Sequence, residues 1–388
     1  MEQVKTALPV ASHAPVAIFV EDLGGGGAEK ISVTLANGLS ARGLPVDFFM
    51  WRAEGPFLAE LDPAVRQINL SATRSVGIVD VVKVLRRYFR DSPPRIFLPQ
   101  LEKPSLVAIL AARLAGYRAV VPCVHIDLLR YMQHGHSLRR VVLAGLVAFF
   151  YRFVPSVVAV SKGAAESTQL LLWPKKQGIN VIYNGFDFNK LRQDAAIEVE
   201  AGWLRDKTVP VIVACGRLVP QKAYDVLLNA FSHVRQQMAA RLIILGEGVL
   251  RPDLEEQVKR LGLTDVVQMP GFVANPAAWF AKSDLFVLSS RNEGLSNVLI
   301  EALVLDVPVV STDCPSGPRE VLADGRYGRL VEVNDPEMLA QNIIQALQKP
   351  PEQATNERGQ YLERFSATGM IEKYLEVINN FSRDTRAT

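Results

Sequence analysis

Cysteine is scarce in this chain of 388 residues. Its three cysteines, Cys123, Cys215 and Cys314, lie far apart, and no two of them form a C-x-x-C pair. This distribution argues against a cysteine-based zinc site and against a disulfide framework. We expect three free thiols, as is usual for proteins of a reducing compartment.

The sequence also lacks long hydrophobic runs. The first twenty residues contain no basic segment followed by an extended apolar core, which argues against a secretory signal peptide. The longest apolar run, Val141–Tyr151, is too short to cross a bilayer. We therefore expect a cytoplasmic protein that is either soluble or peripheral at the inner face of the cytoplasmic membrane.

The whole chain carries no large excess of charge. Its 43 Lys and Arg residues stand against 40 Asp and Glu, a net charge of +3. Through Asp187 the basic and acidic counts are 21 and 14, and the remainder has 22 and 26. This contrast indicates that the two halves face different partners. The near-neutral total and the lack of a nucleic-acid fold motif argue against nucleic acid as a partner.

Alternating strands and helices predict an α/β protein. Buried strands are predicted at Val16–Val20 and Val46–Met50 in the first half, and at Pro210–Ala214 and Arg241–Leu245 in the second. Strands that alternate with helices favour parallel sheets covered by helices. The length fits two domains. The Asn-Gly turn signal just before Asp187 and the polar stretch 189–207, an expected linker, place the boundary after residue 187.

The stretch from Gly271 to Glu301 is the most informative. A buried strand at 284–288 is predicted to lead into a polar loop that holds Glu293, and Ser296 or Asn297 is predicted to cap the helix that follows. Glu293 then lies at the carboxyl end of a strand, where open α/β sheets bind ligands.

The residues after Glu293 predict an anion site beside two carboxylates. Backbone N–H groups of Gly294, Leu295 and Ser296 are expected to be free at the start of the helix, where they favour an anion. Glu301 follows eight residues after Glu293. Carboxylates accept hydrogen bonds from hydroxyl-rich ligands. The alternative is a loop charge and a solvated helix charge.

Three further loops follow predicted strands. Four glycines, among them Gly26 and Gly27, follow the first strand and would let a ligand approach the backbone, although a flexible turn explains them equally well. Arg217 and Lys222 are candidates for a diphosphate clamp, or are two surface cations. His125 is a candidate sugar or phosphate contact, or is a histidine held by Asp127.

The segment 128–165 has no acidic residue and interleaves basic with aromatic side chains. Such a composition is typical of a surface that lies on a membrane. A core helix with a basic outer face would have the same composition. We expect this segment to contact an anionic membrane.

Glu293 and Glu301, with a strand before them and the proline-interrupted strand Val307–Ser311 after them, resemble the motif of family 4 glycosyltransferases. That resemblance implies the GT-B fold, in which two Rossmann-like doubly wound parallel-sheet domains face a central cleft. It also implies that Glu293 contacts the transferred sugar and that Glu301 holds the ribose of the nucleotide.

The other loops extend the resemblance. Arg217 and Lys222 match the family's G-R-x-x-x-x-K loop, although Ala223 stands where many relatives have glycine. By the same resemblance Gly246 lies beside the nucleotide, and the backbone of Phe272 and Val273 reads the base. Gly26 and Gly27 are implied to line the cleft, and His125 is implied to act with Glu293.

The resemblance implies a retaining glycosyltransferase. It would move a sugar from a nucleotide diphosphate sugar, here expected to be a UDP-sugar, to a glycan or polyprenyl-linked acceptor in bacterial polysaccharide or lipopolysaccharide biosynthesis. The sequence has no Asp-x-Asp motif, so neither a metal nor another cofactor is expected. Residues 1–187 would bind the acceptor, 188–367 would bind the nucleotide sugar, and the helix in 368–388 would pack back on the first domain.

Two other functions fit the same residues. One is a GT-B-type nucleotide-sugar epimerase, which needs no acceptor. The other is a silent module that binds sugar nucleotides without turning them over.

Overall fold

A computed structural model describes residues 14–71, 77–127, 129, 138–173, 178–349 and 356–384. The described strands are β1 (Val16–Val20), β2 (Val46–Met50), β3 (Arg66–Asn69), β4 (Ile96–Pro99), β5 (Cys123–Val124), β6 (Ser156–Ala159), β7 (Gly178–Val181), β8 (Val211–Cys215), β9 (Arg241–Leu245), β10 (Val267–Gly271), β11 (Leu285–Leu288), β12 (Val309–Thr312) and β13 (Arg329–Val331).

The described helices connect and cover these strands. In the first half they are α1 (Gly27–Ser40), α2 (Ile78–Asp91), α3 (Glu102–Ala115), α4 (Leu138–Phe150) and α5 (Lys162–Leu171). After these follow α6 (Phe188–Ala195), α7 (Gly202–Arg205), α8 (Tyr224–Gln237), α9 (Arg251–Arg260), α10 (Ala277–Phe280), α11 (Asn297–Val304), α12 (Pro318–Val321), α13 (Pro336–Gln348), α14 (Asn356–Leu362) and α15 (Ala367–Asp384).

All described strand pairs are parallel, and each half repeats one topology. In the second half the strand order is β10-β9-β8-β11-β12-β13. In the first half the order β3-β2-β1-β4 continues into β5-β6-β7 through bridges such as Gln100 to Cys123. Both orders are doubly wound, with the reversal between β1 and β4 and between β8 and β11. The predicted fold class, two Rossmann-like parallel-sheet units, is confirmed.

The cores explain why the central strands form. All five residues of β1 and all five of β2 are buried, as expected for parallel strands with helices on both faces. The core on one face of the first sheet includes Phe19, Phe49 and Phe97. The core on its other face is continuous with residues of the second half, including Phe286.

Three local predictions need correction. The strand expected before His125 is only two residues long, β5. The stretch 189–207, expected to be a linker, contains most of α6 and all of α7, and Leu191 and Leu204 on these helices are buried. The predicted cap at Ser296 is absent, since its hydroxyl has no hydrogen-bond partner and its backbone is left-handed, with φ 70°.

The C-terminal helix α15 packs against α1. Arg42 forms an ion pair with Glu372 at 2.8 Å, and a Cβ on Gly38 would lie 2.1 Å from the side chain of Ile371. None of the helices in the described part of the chain is long and apolar enough to span a bilayer.

Candidate active site

The candidate site is built from loops at the two topological switch points. Strands β1 and β4 lead into the glycine run and into Gln100, while β8 and β11 lead into Arg217 and Glu293. Doubly wound sheets bind ligands where the strand order reverses, because the two adjacent loops diverge there and leave a crevice.

Glu293 is buried and is held by two donors. Lys222 Nζ lies 2.6 Å from its Oε1, and the hydroxyl of Ser290 donates to the same oxygen at 2.6 Å. The backbone N–H of Glu293 donates to the carbonyl of Pro315 at 3.1 Å. The carboxylate therefore has a fixed position at the carboxyl end of β11, next to the cation that was predicted to clamp a diphosphate.

The loop after β8 brings Lys222 back to this site. A short 3-10 turn, Pro220–Lys222, ends at Ala223, whose φ of 50° is left-handed. Ala223 therefore adopts the backbone conformation that a glycine would take more easily at this position. Arg217 is exposed on the same loop and faces Glu29 of the first half. Burial raises the pKa of Glu29, and the guanidinium of Arg217 opposes that shift.

Gly246 and Phe272 lie on the neighbouring loops of the second half. Gly246 has φ 135°, and a Cβ there would lie 2.1 Å from the carbonyl oxygen of Gly216, so only glycine fits. The side chain of Phe272 is 55% exposed and reaches across to Gly25 of the first half. Val273 packs partly buried against the core.

Gly294 lies directly against the first half. A Cβ at Gly294 would lie 1.9 Å from the carbonyl oxygen of His125, so the two loops touch through backbone alone. Leu295 is buried, and helix α11 begins two residues later, at Asn297. The predicted helix start is thus correct even though Ser296 does not cap it.

His125 is a neutral side chain in this structure. Burial lowers the pKa of His125 to about 4. Its Nε2 lies 2.8 Å from Oε1 of Gln100, whose amide nitrogen donates to the carbonyl of Leu98. Because that Oε1 can only accept, the proton is on Nε2, and Nδ1 is the acceptor nitrogen of the ring. Gln100, rather than Asp127, therefore holds Nε2.

Glu301 and Gly27 each contact a residue of the other half of the molecule. Their partners, Lys30 and Asn297, were not predicted from the sequence. Lys30 Nζ lies 3.2 Å from Oε1 of the buried Glu301. The Glu301 carboxylate raises the pKa of Lys30. The amide of Asn297 donates to the carbonyl of Gly27 at 3.3 Å and accepts from Asn184 at 2.7 Å.

Glu320 makes another contact between the halves. Its carboxylate accepts from the backbone N–H groups of Lys162 and Gly163 at the start of α5, at 2.9 and 3.1 Å. It also accepts from the hydroxyl of Tyr183 at 3.1 Å. Nothing local in the sequence around Glu320 predicts which distant groups it binds.

Two family models match the chain, one for each half. The model described as Glycosyltransferase Family 4 matches residues 25–190, and the model described as Glycosyl transferases group 1 matches residues 209–349. The matched ranges contain the glycine loop, His125, and all the candidate residues of the second half. The chain belongs to the family 4 glycosyltransferases.

Relatives of this glycosyltransferase are enzymes of bacterial glycan assembly. A Campylobacter jejuni protein named N-acetylgalactosamine-N,N'-diacetylbacillosaminyl-diphospho-undecaprenol 4-alpha-N-acetylgalactosaminyltransferase is 29% identical over 84% of this chain and 88% of its own length. The lipopolysaccharide core biosynthesis glycosyltransferase LpsE of Rhizobium meliloti is 26% identical, over 91% and 96% of the two chains.

Solved structures with the same fold include HepE from Anabaena in complex with UDP and glucose. HepE superposes with a TM-score of 0.78 at 21% identity, over 95% of this chain and 100% of its own. Sucrose-phosphate synthase from Thermosynechococcus elongatus also gives 0.78, at 18% identity, over 97% of this chain and all of its own. The GT-B fold of this glycosyltransferase is therefore confirmed.

Proposed function

We propose that this glycosyltransferase transfers a sugar, with retention and without a metal ion, from a UDP-sugar to a glycan or polyprenyl-linked acceptor in bacterial polysaccharide or lipopolysaccharide biosynthesis. Residues 1–187 bind the acceptor and 188–367 bind the nucleotide sugar. The C-terminal helix belongs to the first of these domains.

The observation that carries the proposal is the Lys222–Glu293 pair at the second switch point. A buried carboxylate that is hydrogen-bonded on one oxygen offers the other to a sugar hydroxyl. The ammonium group of Lys222 lies beside this carboxylate, where it can bind the negatively charged diphosphate. One pair therefore supplies a contact for the sugar and a contact for the leaving group.

In the reaction, the bond between the anomeric carbon and the diphosphate oxygen breaks, and its electron pair leaves with UDP. Lys222, Arg217 and the N–H groups of Gly294, Leu295 and Ser296 stabilise the charge that develops on the diphosphate. Preorganised charge of this kind lowers the barrier because it needs no rearrangement during bond breaking. The acceptor hydroxyl then bonds the anomeric carbon on the face that the diphosphate left, and its proton passes to the departing diphosphate oxygen.

The remaining candidate residues are assigned to the nucleotide and to the cleft. Glu301 accepts from the ribose hydroxyls, Gly246 lets the nucleotide approach the backbone, and the backbone at Phe272 and Val273 lies against the base. Gly26 and Gly27 line the cleft opposite the donor.

His125 and Glu293 orient the transferred sugar. The neutral imidazole accepts a hydrogen bond from a sugar hydroxyl at Nδ1, since its Nε2 donates to Gln100. Glu293 accepts through Oε2.

UDP and a lipid-linked acceptor are favoured by the relatives. The structure of HepE contains UDP and glucose, and the name of the Campylobacter enzyme specifies an undecaprenol diphosphate acceptor. A basic acceptor half agrees with an acceptor that carries a diphosphate.

We also propose that the acceptor half touches the inner face of the cytoplasmic membrane through 128–165. Residues 128 and 130–137 lie outside the described residues. On α4 the side chains of Val141, Val142, Leu146 and Phe149 are exposed. An exposed apolar face on a basic segment fits the interfacial region of an anionic bilayer.

The test is a transfer assay with EDTA, a panel of UDP-hexoses and UDP-N-acetylhexosamines, and polyprenyl-diphosphate-linked glycans. We expect one donor to extend the acceptor and the new linkage to have the anomeric configuration of the donor. A new nucleotide sugar formed without acceptor would indicate an epimerase. UDP binding without turnover of any donor would indicate a silent module.

A further inference from the structure

An ion pair joins the two halves inside the proposed nucleotide site. Lys30 belongs to α1 of the first half and Glu301 to α11 of the second, and their charged atoms lie 3.2 Å apart. The Glu301 side chain is 6% exposed and the Lys30 side chain 38%. Lys30 thus reaches from the cleft into a buried carboxylate on the opposite side.

The ion pair is one of two polar contacts between helices α1 and α11. Gly27 and Lys30 are three residues apart on α1, and Asn297 and Glu301 are four apart on α11, so each pair lies on one helix face. The carbonyl of Gly27 accepts from Asn297, one turn away from the ion pair. A Cβ on Gly27 would lie 2.6 Å from the Asn297 amide, so the helices start in direct contact.

A buried carboxylate needs a partner to stay ionised. Removing one member of a buried ion pair is strongly unfavourable because the other charge is left without compensation. Among the described residues, Lys30 is the one that forms an ion pair with Glu301. The thiol of Cys215 is a further titratable group near this carboxylate. The counter-charge of Glu301 therefore comes from the other half of the molecule.

Lys30 leaves room for a ligand on Glu301. Its ammonium group meets Oε1. An ionised carboxylate has about four acceptor positions on two oxygens. Glu301 can therefore accept from Lys30 and from a ribose hydroxyl together, with the ammonium group fixing the direction in which its free positions point.

We propose that Lys30 is a positioning residue for nucleotide binding. It fixes the orientation of the Glu301 carboxylate, and it does so only when the two halves are closed on each other. This inference rests on the proposed function, in which Glu301 takes the ribose. It makes the nucleotide site depend on both halves, although the residues assigned above to the nucleotide itself all lie in the second.

One consequence is coupling between donor affinity and closure. A nucleotide binds Glu301 more tightly in the closed state, in which Lys30 contacts the carboxylate. Binding of the nucleotide therefore shifts the molecule toward closure. In turn, the acceptor half takes part in nucleotide binding without touching the nucleotide.

The test measures UDP binding by calorimetry and donor kinetics for Lys30→Met and Lys30→Arg. Arg42→Met is the matched control, because Arg42 follows the same helix and pairs with Glu372 away from the cleft. We expect Lys30→Met to weaken UDP binding about 10- to 100-fold. We expect it to raise the donor KM more than it lowers kcat. Lys30→Arg should restore most of the affinity, and Arg42→Met should bind UDP like the wild type.

A double-mutant cycle with Glu301→Gln separates positioning from direct contact. If Lys30 acts through Glu301, Lys30→Met should have little further effect on UDP affinity once Glu301 is Gln. Fully additive losses would overturn the inference, as would wild-type UDP affinity in Lys30→Met. Failure of the wild-type enzyme to bind UDP would instead contradict the proposed function.

Discussion

Glu293 shows at the scale of one residue how the fold prepares a functional group. Lys222 and Ser290 both donate to Oε1, and Pro315 accepts from its backbone. The side chain cannot turn without breaking these bonds, and in the described part of the chain Oε2 has no protein donor. We expect loss of either donor to reduce activity, with the larger loss for the charged one.

Replacing Lys222 with Ala should lower kcat by about 100- to 1,000-fold, because a preorganised cation at the leaving diphosphate is removed. Lys207→Ala is the matched control. Lys207 forms an ion pair with Asp284 at 2.9 Å. The two residues lie just before β8 and β11, at the ends of these strands that are opposite to the site. The two variants should differ in turnover while both remain folded by circular dichroism. Wild-type turnover in Lys222→Ala would remove Lys222 from the mechanism.

Glu102 offers a test of burial in the first half. Its carboxyl is buried with no hydrogen-bond partner for Oε1, and burial raises its pKa from 4.5 to about 7. The unfolded chain releases this proton near pH 4.5 and the folded chain near 7, so folding loses stability as the pH rises across that window.

Glu102→Gln should therefore gain stability relative to wild type as the pH rises. The difference in unfolding free energy between variant and wild type should grow by up to about 3 kcal/mol from pH 4.5 to pH 8. Denaturant unfolding at a series of pH values measures it. A difference that does not change with pH would show that the carboxyl is not kept protonated by burial.

At the scale of elements, contacts between loops decide whether the site can form. The backbone of Gly294 touches the carbonyl of His125, so this loop and the first half fit together only if residue 294 has no side chain. Gly294→Ala would have to separate the two loops.

We expect Gly294→Ala to lower activity at least tenfold while leaving each domain folded, because the added Cβ would lie 1.9 Å from a backbone oxygen. Gly359→Ala is the control, since nothing lies within 4 Å of a Cβ there. Alanine is favoured over glycine inside a helix such as α14, so this control should be as stable as wild type or more stable. Equal activity of the two variants would contradict the contact.

Helix α4 carries the prediction about membranes. Replacing Arg139 and Arg140 with Glu should weaken binding to anionic vesicles, because each basic residue near such a surface contributes about 1 kcal/mol. The exposed pair Lys259 and Arg260 of the second half, also changed to Glu, is the control. Cosedimentation with vesicles of phosphatidylglycerol measures both. Unchanged partitioning of the Arg139 and Arg140 variant would leave 128–165 as ordinary core and surface.

Elements differed in how well the sequence predicted them. Strands β1 and β9 were predicted to the residue, because buried parallel strands are continuous apolar runs. The edge strand β3 was missed, since its sequence Arg-Gln-Ile-Asn is polar and mostly exposed. The ends of β5 could not be predicted, because its limits depend on pairing with β6 rather than on its own residues.

The same distinction holds for the site. Glu293, Lys222 and Gly294 were predicted because short motifs identify them. Lys30 and Gln100 were not among the predicted site residues, because their contacts with Glu301 and His125 depend on the tertiary fold, which no local pattern encodes. Lys30 and its partner are 271 positions apart in the chain.

At the scale of the whole molecule, the two halves meet through several independent contacts around one cleft. Lys30 pairs with Glu301, Asn184 donates to Asn297, and Glu320 accepts from the start of α5. These contacts come from loops and helices that follow the carboxyl ends of strands in both sheets. In the proposed function, closure of the halves assembles the site and excludes water from the donor.

We propose that charged side chains and backbone groups of the second half bind a uridine nucleotide without a metal ion. Thermal unfolding with UDP, GDP or ADP, each in the presence of EDTA, tests this proposal. A ligand at 100 times its Kd adds about 2.7 kcal/mol to stability, which raises Tm by a few degrees. We predict that UDP alone raises Tm without metal. A rise with GDP alone would contradict the uridine assignment, and no rise with any of the three would contradict the site itself.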